Sequence, residues 1–366
     1  MENRERIENA IKFYMLANNL KYIKFDSKQS VASHIYGSMI LATAVNSEYS
    51  KVENLSTSIR MMLLGLMNEY YRKELSDILE KMNKGLLYAT DICKYKEKDK
   101  NCQFALECLN TEYNMEYFFE TFLRQRNISS KSIEELYEIA KEYGLIDKIG
   151  NDDSKNFEIF RFYYLNRVLK SKARSGWDSN HWDVLCEGEK ISEHVVGTIA
   201  LALAFDSEFD FCINIDKIIQ TLCIHEVGEI SIGDITPFDG ITPEQKQEIE
   251  HAAIIDVIGN LNKCNEMVSL IFEFDERKSN EAKIAYYYDK LEADIQAKVY
   301  QDIGCQKSLS EQHNNVVFKS SKVQKMVQNG ATTAFDIWYE WDKNIYSNEL
   351  VFSKALKYVR DNKLRN

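Results

Sequence analysis

The sequence predicts an all-α protein built as two helical bundles in tandem, with the chemistry in the second and a degenerate copy in the first. Three observations carry that reading. The 366 residues include only 2 Pro and 14 Gly, the residues that punctuate turns and breaks. Apolar side chains recur at helical spacing, as at Val195, Ile199, Ala202 and Leu203, and again at Ile284, Tyr288, Leu291 and Ile295. Blocks of the first half also reappear in the second at a fixed offset.

That offset is 160 residues. It carries Val31–Ser38 onto Ile191–Thr198, so that His34 falls on His194, and Asn46–Tyr49 onto Asp206–Phe209. It also carries Met62–Glu69 onto Leu222–Glu229. Upstream, Phe13–Leu16 echoes Phe162–Leu165 at a shorter offset of 149, and the interval that shrinks in the second copy holds Arg174-Ser175-Gly176-Trp177. The chemical content is asymmetric. Where the second copy has His225-Glu226, the first has Gly65-Leu66, which offers no side-chain ligand. His34 and Glu69 persist without partners and read as structural groups. The polar stretch Asp147–Lys155 is the natural seam, dividing the chain into residues 1–150 and 151–366.

In the second half, a helix is expected from Ser192. Another runs through Ile219, Leu222 and Cys223 and contains His225. Pro237 and Gly240 mark a loop from Asp234 onward, followed by helices over 244–261 and 281–300. The tail carries a helix-like aromatic stretch, Phe335–Trp341, that caps either the second domain or the junction of the halves.

A formal charge of −11 argues against a duplex nucleic-acid partner. No apolar run approaches the length of a membrane span, and the mixed-charge N-terminus lacks the apolar region of a signal peptide. The 8 cysteines are scattered, with no C-x-x-C pair, and read as reduced thiols of a cytoplasmic protein.

The most informative segment is Leu222–Asp234. It sets His225 beside Glu226 in an apolar run, then adds Glu229 and Asp234. Desolvated ionisable groups are costly unless paired or bound to a cation, so the segment points to a metal-centred site. On a continuous helix His225, Glu226 and Glu229 would share a face, and Gly228 would leave room for a ligand close to the backbone.

His194, then His225-Glu226, then Asp289 resembles the HD-domain metal-dependent phosphohydrolases, whose signature is a lone His, a His-Asp pair and a distal Asp on successive helices. Arg174-Ser175-Gly176-Trp177, Ser192-Glu193-His194, Gly233-Asp234-Ile235 and Leu270–Phe274 are similar to blocks of the 5′-deoxynucleotidase branch. The resemblance covers roughly 162–300. It implies His194, His225, Glu226 and Asp289 as ligands of a divalent transition metal (Mn, Co, Fe, Ni or Zn). It implies Glu229 as the group that orients or deprotonates water, with Asp234 near the sugar or leaving oxygen. It implies Arg174 on the phosphate, Trp177 near the nucleoside and Glu273 as a weaker, supporting candidate. The pair departs from the family in having Glu226 for Asp, which bears on geometry and metal preference.

The implied activity is hydrolysis of (deoxy)nucleoside 5′-monophosphates. The alternatives are another nucleotide substrate, a deoxynucleoside triphosphate or cyclic nucleotide, and an impaired nucleotide-binding scaffold. The partner is then a small nucleotide. A degenerate copy standing where a second subunit would makes the chain a monomer with an internal pseudo-dimer, with a homo-oligomer as the alternative.

Overall fold

The computed structural model describes residues 2–26, 29–82, 99–126, 128, 131–177, 181–233, 240–313 and 315–365. All regular structure among these residues is helical, with three isolated β-bridges and no strand. In the first half the longer helices are α1 (Glu2–Asn19), α2 (Val31–Tyr49), α3 (Leu55–Leu79), α4 (Lys100–Tyr117) and α5 (Ile133–Glu142). The second half begins with α6 (Asp153–Asn166), α7 (Ile191–Glu208), α8 (Ile215–Ile224), α9 (Pro243–Ile258), α10 (Cys264–Glu276) and α11 (Asn280–Asp302). The tail adds α12 (Ser321–Gln328), α13 (Ala334–Asp342) and α14 (Leu350–Asp361).

Short polar residues set the starts of these helices, because their side-chain oxygens take backbone N–H groups that have no partner within the helix. Ser30 caps α2, Asn54 caps α3, Asp152 caps α6, Asn214 caps α8 and Ser279 caps α11. Thr242 with Gln245, and Thr333 with Asp336, close reciprocal capping boxes on α9 and α13.

At the centre, α2 and α7 pack against each other and both are buried along almost their whole length. Each is covered by the opening helix of the other half: α1 lies on α7, and α6 lies on α2. The halves also meet where α3 touches α8, with Ser56, Asn54 and Arg60 all directed at Asp216. One apolar core runs through both halves, while Trp182, Val317, Val323, Ala334 and Ile337 form a smaller cluster under the tail.

Two expectations are corrected here. α8 stops at Ile224, and His225 is its C-cap rather than an interior residue. Val227, Glu229 and Ile230 then donate to carbonyls three residues back, so the chain tightens into turns before a single helical turn, Glu229–Ile232. Gly228 lines the cavity as expected, and it also lets α9 approach, since a Cβ there would sit 3.2 Å from Ile254. The cysteines are not all thiols either: Cys186 and Cys305 form a disulfide with Cα atoms 5.7 Å apart. A bridge between Val184 and Gln306, with Leu185 N–H donating to the Cys305 carbonyl, brings these distant segments together.

Candidate active site

Four elements deliver the site. α7 brings His194, the end of α8 brings His225, the turn after it brings Glu226, and α11 brings Asp289. All four are buried, and one ligand atom from each lies within 4.8 Å of the others. His194 Nε2 is 3.0 Å from Asp289 Oδ1 and 3.5 Å from Glu226 Oε1, and His225 Nε2 is 3.4 Å from that same Glu226 oxygen. The longer glutamate therefore reaches the cluster that the family's aspartate would serve.

Both imidazoles are oriented from behind. His225 Nδ1 donates to the Leu222 carbonyl at 2.8 Å, which leaves the lone pair of a neutral ring on Nε2. His194 Nδ1 lies 2.5 Å from Glu292 Oε2, one turn beyond Asp289 on α11. A carboxylate behind a histidine fixes the ring and raises its strength as a ligand. A Cβ at position 197 would collide with the Glu292 carboxylate, so only glycine lets α11 bring this group so close to α7.

Glu292 is itself held by the first half: Tyr14 Oη donates to it at 2.7 Å and Lys21 Nζ at 2.5 Å, and Lys21 also pairs with buried Glu189. His34 has matching surroundings. Its Nδ1 meets Glu112, which also takes Tyr163 Oη and Lys170, and a Cβ at position 37 would collide with it. Tyr163 and Lys170 come from the second half. Beyond His34, however, Gly65 and Leu66 are apolar, Leu109 stands where Asp289 stands relative to the glutamate, and Phe25 stacks on the ring at 3.9 Å.

The electrostatics of the cluster keep both of its carboxylates ionised. Burial pushes the Glu226 carboxyl up, but His225, Arg174 and His194 outweigh it and hold it well below the ordinary range. Burial likewise opposes Asp289, and Lys290 with His194 overcomes it. Burial and Arg174 push His194 down, yet Glu292 and Asp289 lift it to about 9. The residues fit a divalent metal. Two imidazoles and two carboxylates converge, and His225 Nε2 is buried with no hydrogen-bond partner among the described residues.

His225, Glu226 and Asp289 form part of the lining of a cavity of about 620 Å³, within the range of small-molecule sites. Arg174 and Trp177 line it too. Arg174 Nη1 donates to Glu226 at 3.2 Å, and Trp177 is buried with its indole N–H on Glu189 at 3.3 Å. Glu229 lines the same cavity, and its backbone carbonyl accepts from Lys172 at 3.0 Å. Asp234 lies outside the described residues. Glu273 is not brought to the site: on α10 it turns to Lys217, 2.7 Å away, and does not line the cavity.

Several lining groups escaped sequence reasoning. Lys246, Arg277 and Lys290 add positive charge, and Glu250, Asp275 and Asp342 add negative charge. Of these, only Lys290 carried a local signal, as the neighbour of Asp289.

A family model for the HD domain matches residues 167–330. The 5′-deoxynucleotidase HDDC2 of Dictyostelium discoideum is 33% identical over 147 residues, spanning 38% of this chain and 76% of that protein. The human 5′-deoxynucleotidase HDDC2 is 27% identical over 147 residues, 40% of this chain and 69% of its own length. The 5′-deoxynucleotidase hdd1 of Schizosaccharomyces pombe is 26% identical over 154 residues, covering 40% and 75%. With its buried His/Glu/Asp cluster inside the matched region, the chain belongs to the HD-domain family that holds these 5′-deoxynucleotidases.

Proposed function

We propose that the chain is a metal-dependent phosphohydrolase that releases phosphate from (deoxy)nucleoside 5′-monophosphates. The observation that carries this is the convergence of His194, His225, Glu226 and Asp289 at the wall of a cavity that the last three line together with Arg174. These four residues would hold a first-row divalent ion of the Mn, Fe, Co, Ni or Zn group. When bound, the metal supplies a Lewis acid for a phosphoryl oxygen and lowers the pKa of water.

The chain's own groups do the rest. Arg174 turns its guanidinium from Glu226 to the phosphate, whose oxygens gain charge as water attacks phosphorus and the bond to the 5′ oxygen breaks. Glu229, on the turn after the ligands, takes the proton of the attacking water. Trp177 borders the same cavity as Arg174. The role of Asp234 at the sugar or the leaving oxygen rests on the family resemblance.

The first half is read as a fused copy standing where a partner subunit would, supported by the exchanged pairs Tyr14/Lys21 on Glu292 and Tyr163/Lys170 on Glu112. It retains His34 and the structural part of the site and has lost the other ligands.

Purified protein with Mn or Co is expected to release inorganic phosphate from deoxynucleoside monophosphates, and His225→Ala and Asp289→Ala are each expected to abolish release. Activity surviving both substitutions contradicts the assignment. A second substrate reading has one observation in its favour: Arg277 and Lys290 flank Tyr286 at the cavity, a place for further phosphates. The same panel, extended to triphosphates, decides between them.

A further inference from the structure

The chain has 4 tryptophans, and all of them, Trp177, Trp182, Trp338 and Trp341, line the cavity that holds the candidate metal cluster. Tryptophan is an expensive residue to leave beside water, so its concentration at one cavity calls for a reason. Two of the four stand three apart on one face of α13, beyond the end of the HD-domain match at residue 330. Both are only partly buried.

α13 is held firmly where it is. The Trp338 ring stacks on Trp177, centroids 4.9 Å apart at 28°, and packs close to Gly176, where a Cβ would be 3.3 Å from it. Trp338 and Trp341 also pack against the small apolar cluster around Trp182. The α13 helix packs along α11, the helix of Asp289, and just beyond it Tyr346 donates to Asp294 of α11 at 2.7 Å. The aromatic wall is thereby in fixed register with the metal cluster. Lys322 sits over the Trp341 ring at 3.2 Å and adds a donor beside it.

A phosphate needs the cations and the metal cluster; it has no use for indole faces. A planar heteroaromatic ring does, since every base has a π-face and stacks on aromatic side chains without regard to its hydrogen-bonding edge. We propose that Trp338 and Trp341 form the base-binding wall of the site. The C-terminal extension then makes this a hydrolase of phosphomonoesters that carry a nucleobase. The proposal rests on the phosphohydrolase reading above and adds the part of the substrate that the metal and Arg174 do not contact.

The test compares deoxyadenosine 5′-monophosphate with deoxyribose 5-phosphate, which shares sugar and phosphate but lacks the base. In Trp338→Leu and Trp341→Leu the ratio of kcat/KM for the two substrates is expected to fall about tenfold or more, mainly through KM of the nucleotide. Trp341→Phe is expected to keep most of the ratio, and melting temperatures identify any variant that has lost its fold. Equal losses on both substrates, or an unchanged ratio in both leucine variants, overturn the proposal.

Should the wild-type chain hydrolyse neither compound, the phosphohydrolase reading fails, and tryptophan fluorescence still tests the wall. Quenching by the nucleotide, lost in Trp341→Leu and absent with deoxyribose 5-phosphate, supports it. No quenching by the nucleotide overturns it.

Discussion

His194 does its work through both ring nitrogens: Nε2 faces Asp289 and Glu226, while Nδ1 is held by Glu292. Replacing Glu292 with Gln keeps the volume but removes the charge that orients the ring. Metal affinity is expected to fall about 10–100-fold, the usual effect of losing such a partner, measured by competition with a chromophoric chelator. Among the described residues, the substitution also leaves buried Lys21 with Glu189 as its one carboxylate, so the melting temperature should fall as well. Unchanged metal affinity would show that Glu292 is merely structural. His225 and Glu226 were legible in the sequence as ionisable groups in an apolar stretch, and His194 and Asp289 through their spacing to that pair in the family resemblance. Glu292 was not, although it lies one turn from Asp289. Its partners His194, Tyr14 and Lys21 are 98, 278 and 271 positions away, and no local pattern records that distance.

Helices were legible as helices from apolar periodicity, while their ends near the site were not. α8 stops at His225 because the Leu222 carbonyl takes the imidazole N–H, a contact that propensity does not register. The crossing of α7 and α11 depends on Gly197, and the matching crossing of α2 and α4 on Gly37. Gly197→Ala and Gly37→Ala are each expected to destabilise by about 1–3 kcal/mol through overpacking, read as a lower denaturant midpoint. Only Gly197→Ala should also weaken metal binding. Equal metal affinity in the two variants would contradict the placement of the site.

A contact between the halves offers a pH-dependent test. Burial raises the Glu116 carboxyl on α4, but Lys170 and Arg167 outweigh it and hold it at about 2. A folded-state value below the unfolded one, about 4.3, means the pair stabilises the fold above that pH. The contribution, on the order of 3 kcal/mol, is lost as pH falls from about 4.5 towards 2. Glu116→Gln should therefore flatten the acid limb of stability against pH between 5 and 2. An unaltered limb would contradict it.

At the scale of the molecule, the offset repeat in the sequence indicated which residues correspond, but not which half covers which. α1 lies on α7 and α6 on α2, so each half completes the other's buried histidine site. On the proposed reading, the first half fills the surface that a separate subunit would cover. Size exclusion with light scattering is expected to return a monomer near 42.7 kDa. A homodimer built through the second half would contradict the internal pairing. The disulfide between Cys186 and Cys305 was beyond sequence reasoning, because the two residues are 119 apart and only the folded course of residues 184–186 against 305–306 brings them together.

The central claim is that the His194, His225, Glu226 and Asp289 cluster holds a divalent metal on which phosphate release depends. Titrating chelator-stripped protein with Mn or Co while following phosphate release from deoxynucleoside 5′-monophosphates tests it most directly. The expected result is no release from the stripped protein and full release at one bound ion per chain. Release that persists without metal, or an ion bound at one per chain with no release from any nucleotide, would contradict it.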